Sequence, residues 1–196
     1  MAEEIGPVGC YPGSFNPPTV AHLAVAEAAV ATAGLVRLDL VVSTVALAKE
    51  DLAVPTLADR LGVLDAVAAS RPWLGVVRTD RQLIAEIAAG YDVVVMGADK
   101  WRQVTDPAWY GDDPSARDAA VAGLPRVLVA PRAGDRPTDV ELLDVHEDHH
   151  HVSASAVREG AVRAWIVPEA AAFDARTGAW SDPDRYRAGG WQRGHQ

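Results

Sequence analysis

Short apolar runs alternate along the chain with longer amphipathic stretches. Five runs rich in Val, Ile and Leu stand out: IGPVGCY (5–11), LVRLDLVVS (35–43), WLGVVRT (73–79), YDVVVMG (91–97) and PRVLVAP (125–131). They lack a polar alternation, as strands do when both faces of a parallel sheet are covered. Between and after them, apolar positions recur at helical spacing over 19–33, 56–70, 80–89, 154–161 and 168–175. This order predicts an α/β fold, a doubly wound, mainly parallel Rossmann-like sheet with helices on both faces.

Such a sheet takes its ligand beyond the carboxyl ends of the strands, near the point where strand order reverses. The residues after each strand are therefore the candidates: Gly13 to His22, then Ser43, Thr44 and the loop with Lys49, then Gly97, Ala98 and Asp99, then Pro131 and Arg132. One domain is expected over 1–180. The segment 181–196 is rich in Gly, Arg and Asp and is expected to be a loosely held tail.

Composition narrows the function classes. Hydrophobic residues make up 49% of the 196, enough for a sizeable core. No apolar run approaches the roughly 20 residues of a membrane span, and the acidic start MAEEIG is unlike a secretory leader, so a cytoplasmic location without a membrane partner is expected. A formal net charge of -9 argues against nucleic acid as the main partner, while a local pocket can still attract a small anion. Cys10, inside the first run, reads as a small buried thiol. Of 18 basic residues only Lys49 and Lys100 are lysines, and solvated surface charge is the default reading of both. HEDHHH (146–151) carries side chains that bind metals, but neighbours on an extended segment point opposite ways, so no metal site is expected there.

The chemistry concentrates after the first strand, in YPGSFNPPTVAHL (11–23). Gly13 lets a ligand approach the backbone closely. Asn16, Pro17 and Pro18 stiffen the turn, and a helix starting near Thr19 offers unpaired N–H groups and a positive dipole end to phosphate. Thr19 and His22 are three apart, share one face of the first turn, and are expected to donate to the same anion. Taken singly, the first reads as an N-cap and the second as a core histidine.

GSFNPPTVAHL (13–23) resembles the signature of the nucleotidyltransferase superfamily, written (H/T)-x-G-H after a strand and a turn. It resembles especially the nicotinate and nicotinamide mononucleotide adenylyltransferases, whose eukaryotic members read GSFNP-x-T-x-x-H-L. Ala21 stands where most of the superfamily has Gly. Further segments follow in family order. VVVMGADKW (93–101) resembles the strand ending in G-x-D, which assigns Gly97 and Asp99 to the nucleotide. DPAWYGDD (106–113) resembles the loop whose tryptophan stacks on the pyridine, and GLPRVLVAPRAG (123–134) the strand after it; Trp109 and Arg132 match and would bind the acceptor. VSASAVREG (152–160) resembles I-S-S-T-x-x-R, with Ser153, Ser155 and Arg158 matching and Ala154 replacing a serine, and WIVPEAAAF (165–173) resembles the closing L-V-P-x-x-V.

The resemblance implies a nucleotidylyltransferase-type fold and an adenylyl transfer from ATP. In it, the acceptor's phosphate attacks the α-phosphate and pyrophosphate leaves with no covalent enzyme intermediate. His22, Thr19, Arg158 and Lys49 would serve catalysis, and Gly13, Ser14, Phe15, Asn16, Gly97, Asp99, Ser153 and Ser155 the nucleotide. The cofactor would be Mg2+, carried with ATP, without a dedicated protein site. The partners would be a nucleoside triphosphate and a phosphate-bearing acceptor; a homo-oligomer stays open.

Two departures bear on the acceptor. Bacterial members carry P-P-H-K after the second strand and S-Y-T-x-D-T-L after the third, where this chain has VALAKEDLAVPTLADR (45–60) and RTDRQLIAEI (78–87). Lys49 and Arg60 match the first stretch in part; the second is missing. The phosphopantetheine branch opens similarly but carries R-G-L-R where this chain has MGADKW. Nothing in the sequence fixes the base of the triphosphate, so cytidylyl transfer to another phosphoester stays open, as does a nucleotide-binding paralogue without turnover.

Overall fold

The computed structural model describes residues 6–45, 54–160 and 163–189. Six strands, β1 (Val8–Pro12), β2 (Arg37–Ser43), β3 (Leu74–Thr79), β4 (Val93–Gly97), β5 (Arg126–Ala130) and β6 (Glu141–Leu142), form one open sheet ordered β3-β2-β1-β4-β5-β6. Every pair is parallel, with Cys10 opposite Asp39 on one side and Val94 on the other. The strand order therefore reverses between β1 and β4, where a doubly wound sheet opens a crevice. The helices are α1 (Val20–Ala33), α2 (Leu57–Ala69), α3 (Ile84–Ala88), α4 (Ala98–Thr105), α5 (Pro114–Ala122), α6 (Ala154–Arg158), α7 (Pro168–Thr177) and α8 (Pro183–Ala188). Among the described residues no helix is long and apolar enough to cross a membrane.

The period of two along each strand sorts its side chains into two cores. Tyr11, Leu40, Val42, Val95 and Leu128 join Val25 and Ala26 of α1, Leu64 and Val67 of α2 and Ala170 of α7. On the opposite face Cys10, Val41, Val94, Met96 and Val129 join Ile84 and Ile87 of α3 and Trp101 and Val104 of α4. Both faces are buried, which is why the strands read as unbroken apolar runs. Truncating a fully buried side chain such as Leu38, Leu64 or Leu128 to Ala costs about 2–5 kcal/mol.

The five expected strands are all present, and the fold is the doubly wound one. The short α4 escaped the pattern although Ala98, Trp101 and Val104 form an apolar face, and so did elements without such a face. None of the α5 residues is buried, so its only signals were Asp113, whose carboxylate caps the Ser115 and Ala116 amides, and Pro114 at the first helical position. β6 has two residues. The stretch expected to be helical over 80–89 narrows to α3.

Two expectations need correction. The segment 146–151 is not extended: Glu147–His149 is a 3-10 turn capped by His146. The tail expected from 181 is docked as far as residue 189. Asp182 caps α8 through the Arg185 amide, Pro183 opens the helix, and Tyr186 is buried. A Gly, Arg and Asp count missed this because one buried tyrosine and one cap suffice to dock six residues. The remainder of the expected tail, 190–196, lies outside the described residues.

Candidate functional site

A cleft of about 440 Å³ opens at the carboxyl ends of β1 and β2, beside the switch point. That volume suits a small-molecule ligand, for which about 300–1,000 Å³ is usual. Gly13, Ser14 and His22 line it from the β1–α1 turn, Asp99 and Lys100 from α4, and Trp109 from the 3-10 turn Pro107–Tyr110. Arg132, Ser153, Ser155 and Arg158 complete it.

His22 owes its orientation to the start of α1. Thr19 is the N-cap, its hydroxyl accepting from the His22 amide, while the Thr19 N–H donates to His22 Nδ1 at 3.0 Å. This is a capping box in which histidine replaces the usual Glu or Gln. A backbone N–H is an obligate donor, so Nδ1 is the acceptor and the neutral ring carries its proton on Nε2. Burial, helped by the Arg132 guanidinium, pushes the pKa of His22 down to about 3. The imidazole is thus a neutral donor at neutral pH. Phe15 meets it in a T-shaped contact and Tyr11 in a tilted one, with ring centroids 5.1 and 6.2 Å away.

Thr19 takes a different role from the expected one. Its side chain is fully buried and lies 2.9 Å from His22 Nδ1, so it positions the imidazole and does not donate to a shared anion beside it.

The turn before α1 is bent and interlocked. Phe15 adopts φ +45° while nearly fully buried, a conformation that costs about 1–3 kcal/mol and persists where packing over-determines it. A Cβ at position 13 would lie 2.9–3.2 Å from the Phe15 ring, so glycine is required there. The Gly13 N–H is spent on Val41 O, whereas the amides of Ser14 and Phe15 have no acceptor among the described residues. Asn16 is fully buried; its Oδ1 accepts from Trp180 Nε1 at 2.5 Å and its backbone carbonyl accepts from Arg158. Its Nδ2 is buried without a partner, at a cost of about 1–3 kcal/mol.

Across the cleft, Ser153 caps α6 by accepting from the Ala156 amide, and Arg158 reaches Ser155 Oγ at 3.2 Å. Arg132, expected beside the acceptor, donates to Val152 O at 2.8 Å and stands 3.7 Å from Asp99. Its charge is felt by His22 and Tyr11. Gly97 opens α4 and lines a second cavity of about 10 Å³ with His22, Arg132 and His149, room for about one water.

Trp109 is 41% exposed, an unusual expense of apolar surface, and sits on a turn capped by Asp106 and tied down by Tyr110 to Val104 O. Lys100, in the first turn of α4, donates to Gln103 Oε1 at 2.6 Å and forms no ion pair among the described residues.

The structure gathers Gly13, Ser14, His22, Asp99, Trp109, Arg132, Ser153, Ser155 and Arg158 around one cleft, and places Phe15, Asn16 and Thr19 beneath it as supports. Lys49 lies outside the described residues. Ser43, a candidate at the end of the second strand, also lines the cleft, whereas sequence reasoning missed Lys100, Gln103 and Gln82; the position of Lys100, next to the matched Asp99, was the available signal. The family model described as Cytidylyltransferase-like matches residues 10–160, well over half of the chain. No curated protein matches it.

Proposed function

The chain belongs to the cytidylyltransferase-like family and is a nucleotidyltransferase, and on that premise we propose that it transfers AMP from ATP to nicotinate or nicotinamide mononucleotide, releasing pyrophosphate. The observation that carries this reading is the capped His22: its Nδ1 is occupied by the Thr19 N–H, and its side chain lines the same cleft as the exposed Trp109. One group suits a phosphoryl centre and the other a flat acceptor.

His22 Nε2–H donates to an α-phosphate oxygen as negative charge spreads in the transition state. A neutral donor fixed in advance stabilises that charge without reorganising, which is where most of the barrier lowering in phosphoryl-type transfer arises. The free amides of Ser14 and Phe15 add donors on the same side. Arg158 and Ser155 receive the leaving pyrophosphate, guanidinium and phosphate matching as a charge-assisted fork. Trp109 stacks on the acceptor's ring, so that the acceptor phosphate lies in line with the bond to be broken.

No group of three or more His, Cys, Asp or Glu side chains able to hold a metal gathers among the described residues. Mg2+ would arrive with the triphosphate, and Asp99, a carboxylate lining the cleft, would be the side chain placed to meet it. The ion would supply charge neutralisation along the triphosphate.

The test is pyrophosphate release with Mg2+, crossing ATP and CTP against nicotinate mononucleotide, nicotinamide mononucleotide, phosphopantetheine and simple phosphoesters. Release with ATP and a pyridine mononucleotide, lost in His22→Ala, supports the proposal. Release with CTP alone, or with a non-pyridine acceptor alone, replaces it by the corresponding transferase. ATP binding without turnover on any acceptor points to a nucleotide sensor.

A further inference from the structure

Beyond the residues matched by the family model, the segment Asp174–Tyr186 closes on the phosphate side of the cleft. We infer that this segment belongs to the phosphate-handling machinery, with Trp180 a positioning residue that sets Arg158 through Asn16. The inference rests on the reading of the β1–α1 turn and Arg158 as the triphosphate subsite.

Trp180 is 5% exposed, and its indole donates to Asn16 Oδ1 across 164 residues of chain. An indole N–H only donates, so it dictates which end of the Asn16 amide faces it. The other end, Nδ2, is left buried and unpartnered. A tryptophan that served as core filler alone would not require this unfavourable arrangement. What the arrangement secures is the Asn16 backbone carbonyl, the acceptor for Arg158 Nη1, while Arg158 Nη2 reaches Ser155 Oγ. The guanidinium is thereby held at the cleft by a carbonyl whose own residue is pinned by Trp180.

Trp180 is itself held firmly. Asp174, 2% exposed, accepts from the Trp180 and Ser181 amides at 2.7 and 2.9 Å through one oxygen, and Phe173 lies against the indole with centroids 5.9 Å apart. Six residues further on, the Tyr186 hydroxyl accepts from the Thr56 amide and donates to Asp59 at the start of α2. Arg60 of the same helix reaches Ser14 O at 3.5 Å. The segment thus braces the turn from two sides, at Asn16 directly and at Ser14 through α2.

Trp180→Phe keeps a buried ring and removes the N–H. Three quantities test it: binding of inorganic pyrophosphate and Mg-ATP by calorimetry, turnover with whichever acceptor is used, and melting temperature. Expected are a fall of about five- to tenfold in pyrophosphate and triphosphate affinity, the scale of one lost neutral hydrogen bond, and an unchanged acceptor KM. In an Arg158→Ala background the same substitution is expected to add less than about twofold, because its route to the ligand is gone. If Trp180→Phe does not fold, Tyr186→Phe is expected to move triphosphate affinity in the same direction with an unchanged acceptor KM. Equal losses in both backgrounds, a fall in acceptor and triphosphate affinity together, or unaltered pyrophosphate affinity would overturn the inference. A protein that binds pyrophosphate but turns over no pyridine mononucleotide refutes the acceptor assignment and leaves this inference standing; a protein that binds neither pyrophosphate nor triphosphate refutes both.

Discussion

The two halves of the cleft are built differently. On the side proposed for the phosphates, two sets of hydrogen bonds lock the turn, His22 with Thr19 and Asn16 with Arg158 and Trp180, and Thr19 and Asn16 are fully buried. On the side proposed for the acceptor, Trp109 stands 41% exposed on a 3-10 turn and Lys100 is held by one neutral amide. A rigid half can stabilise a transition state, since preorganised donors need not reorganise as charge develops. An open half can select a partner and release it. Substitutions on the locked side should therefore lower kcat or triphosphate affinity and leave the acceptor KM alone, and those on the open side should raise the acceptor KM.

The largest effect is expected from His22→Ala. Loss of the one fixed imidazole donor should cut kcat by about 10²–10⁴-fold while the KM for triphosphate moves little. Pyrophosphate release under saturating substrates measures it. A loss below about tenfold would mean that the locked side only binds, and the contrast between the halves would collapse.

Arg158→Ala comes next. A charge-assisted pair to the leaving pyrophosphate is worth about 1.5–3 kcal/mol, so kcat/KM for the triphosphate should fall about ten- to hundredfold with an unaltered acceptor KM. A raised acceptor KM instead would place the guanidinium on the wrong half.

The same contrast explains what was legible in the sequence. The locked half comes from contiguous stretches, residues 13–22 and 153–158, where spacing along a helix start carries the chemistry. The strands announced themselves because burial on both faces leaves few polar positions, Asp39 of β2 being one. Thr19 was placed in the right spot with the wrong task, since residues three apart on a first turn face one another as readily as a ligand. Trp180 reaches Asn16 across 164 residues, a pairing that no local pattern encodes. Lys100 was hidden by its type, because a lysine on an acidic surface looks like solvated charge until the fold shows which cleft it faces.

On the open half, Trp109→Ala should raise the acceptor KM about tenfold, the scale of one lost ring stack, and leave triphosphate affinity intact. Lys100→Gln should have the smaller effect, about two- to fivefold in the same parameter, as suits a partly exposed ammonium meeting an anionic acceptor. Comparing nicotinate with nicotinamide mononucleotide sharpens this further. A loss confined to the nicotinate compound would direct the ammonium at the ring carboxylate, and equal losses would direct it at the shared phosphate.

The smallest effect is expected from acid on the chemistry of the locked half. Burial and Arg132 hold the His22 pKa down to about 3, so the folded imidazole stays neutral between pH 7 and 5 and its donor capacity does not titrate there. The unfolded chain's imidazole has its ordinary pKa of about 6.5 and binds a proton over the same range. Because the unfolded state then carries the extra proton, the contribution of His22 to stability is complete above about pH 6.5 and is lost as pH falls toward 3, with a slope of at most about 1.4 kcal/mol per pH unit. His22→Gln removes that term, so its melting temperature should approach that of the wild type as pH is lowered from 7.5 to 5. A folded-state imidazole resonance for His22 titrating near 6.5 would show instead that the ring is open to water, and that the two halves of the cleft are alike.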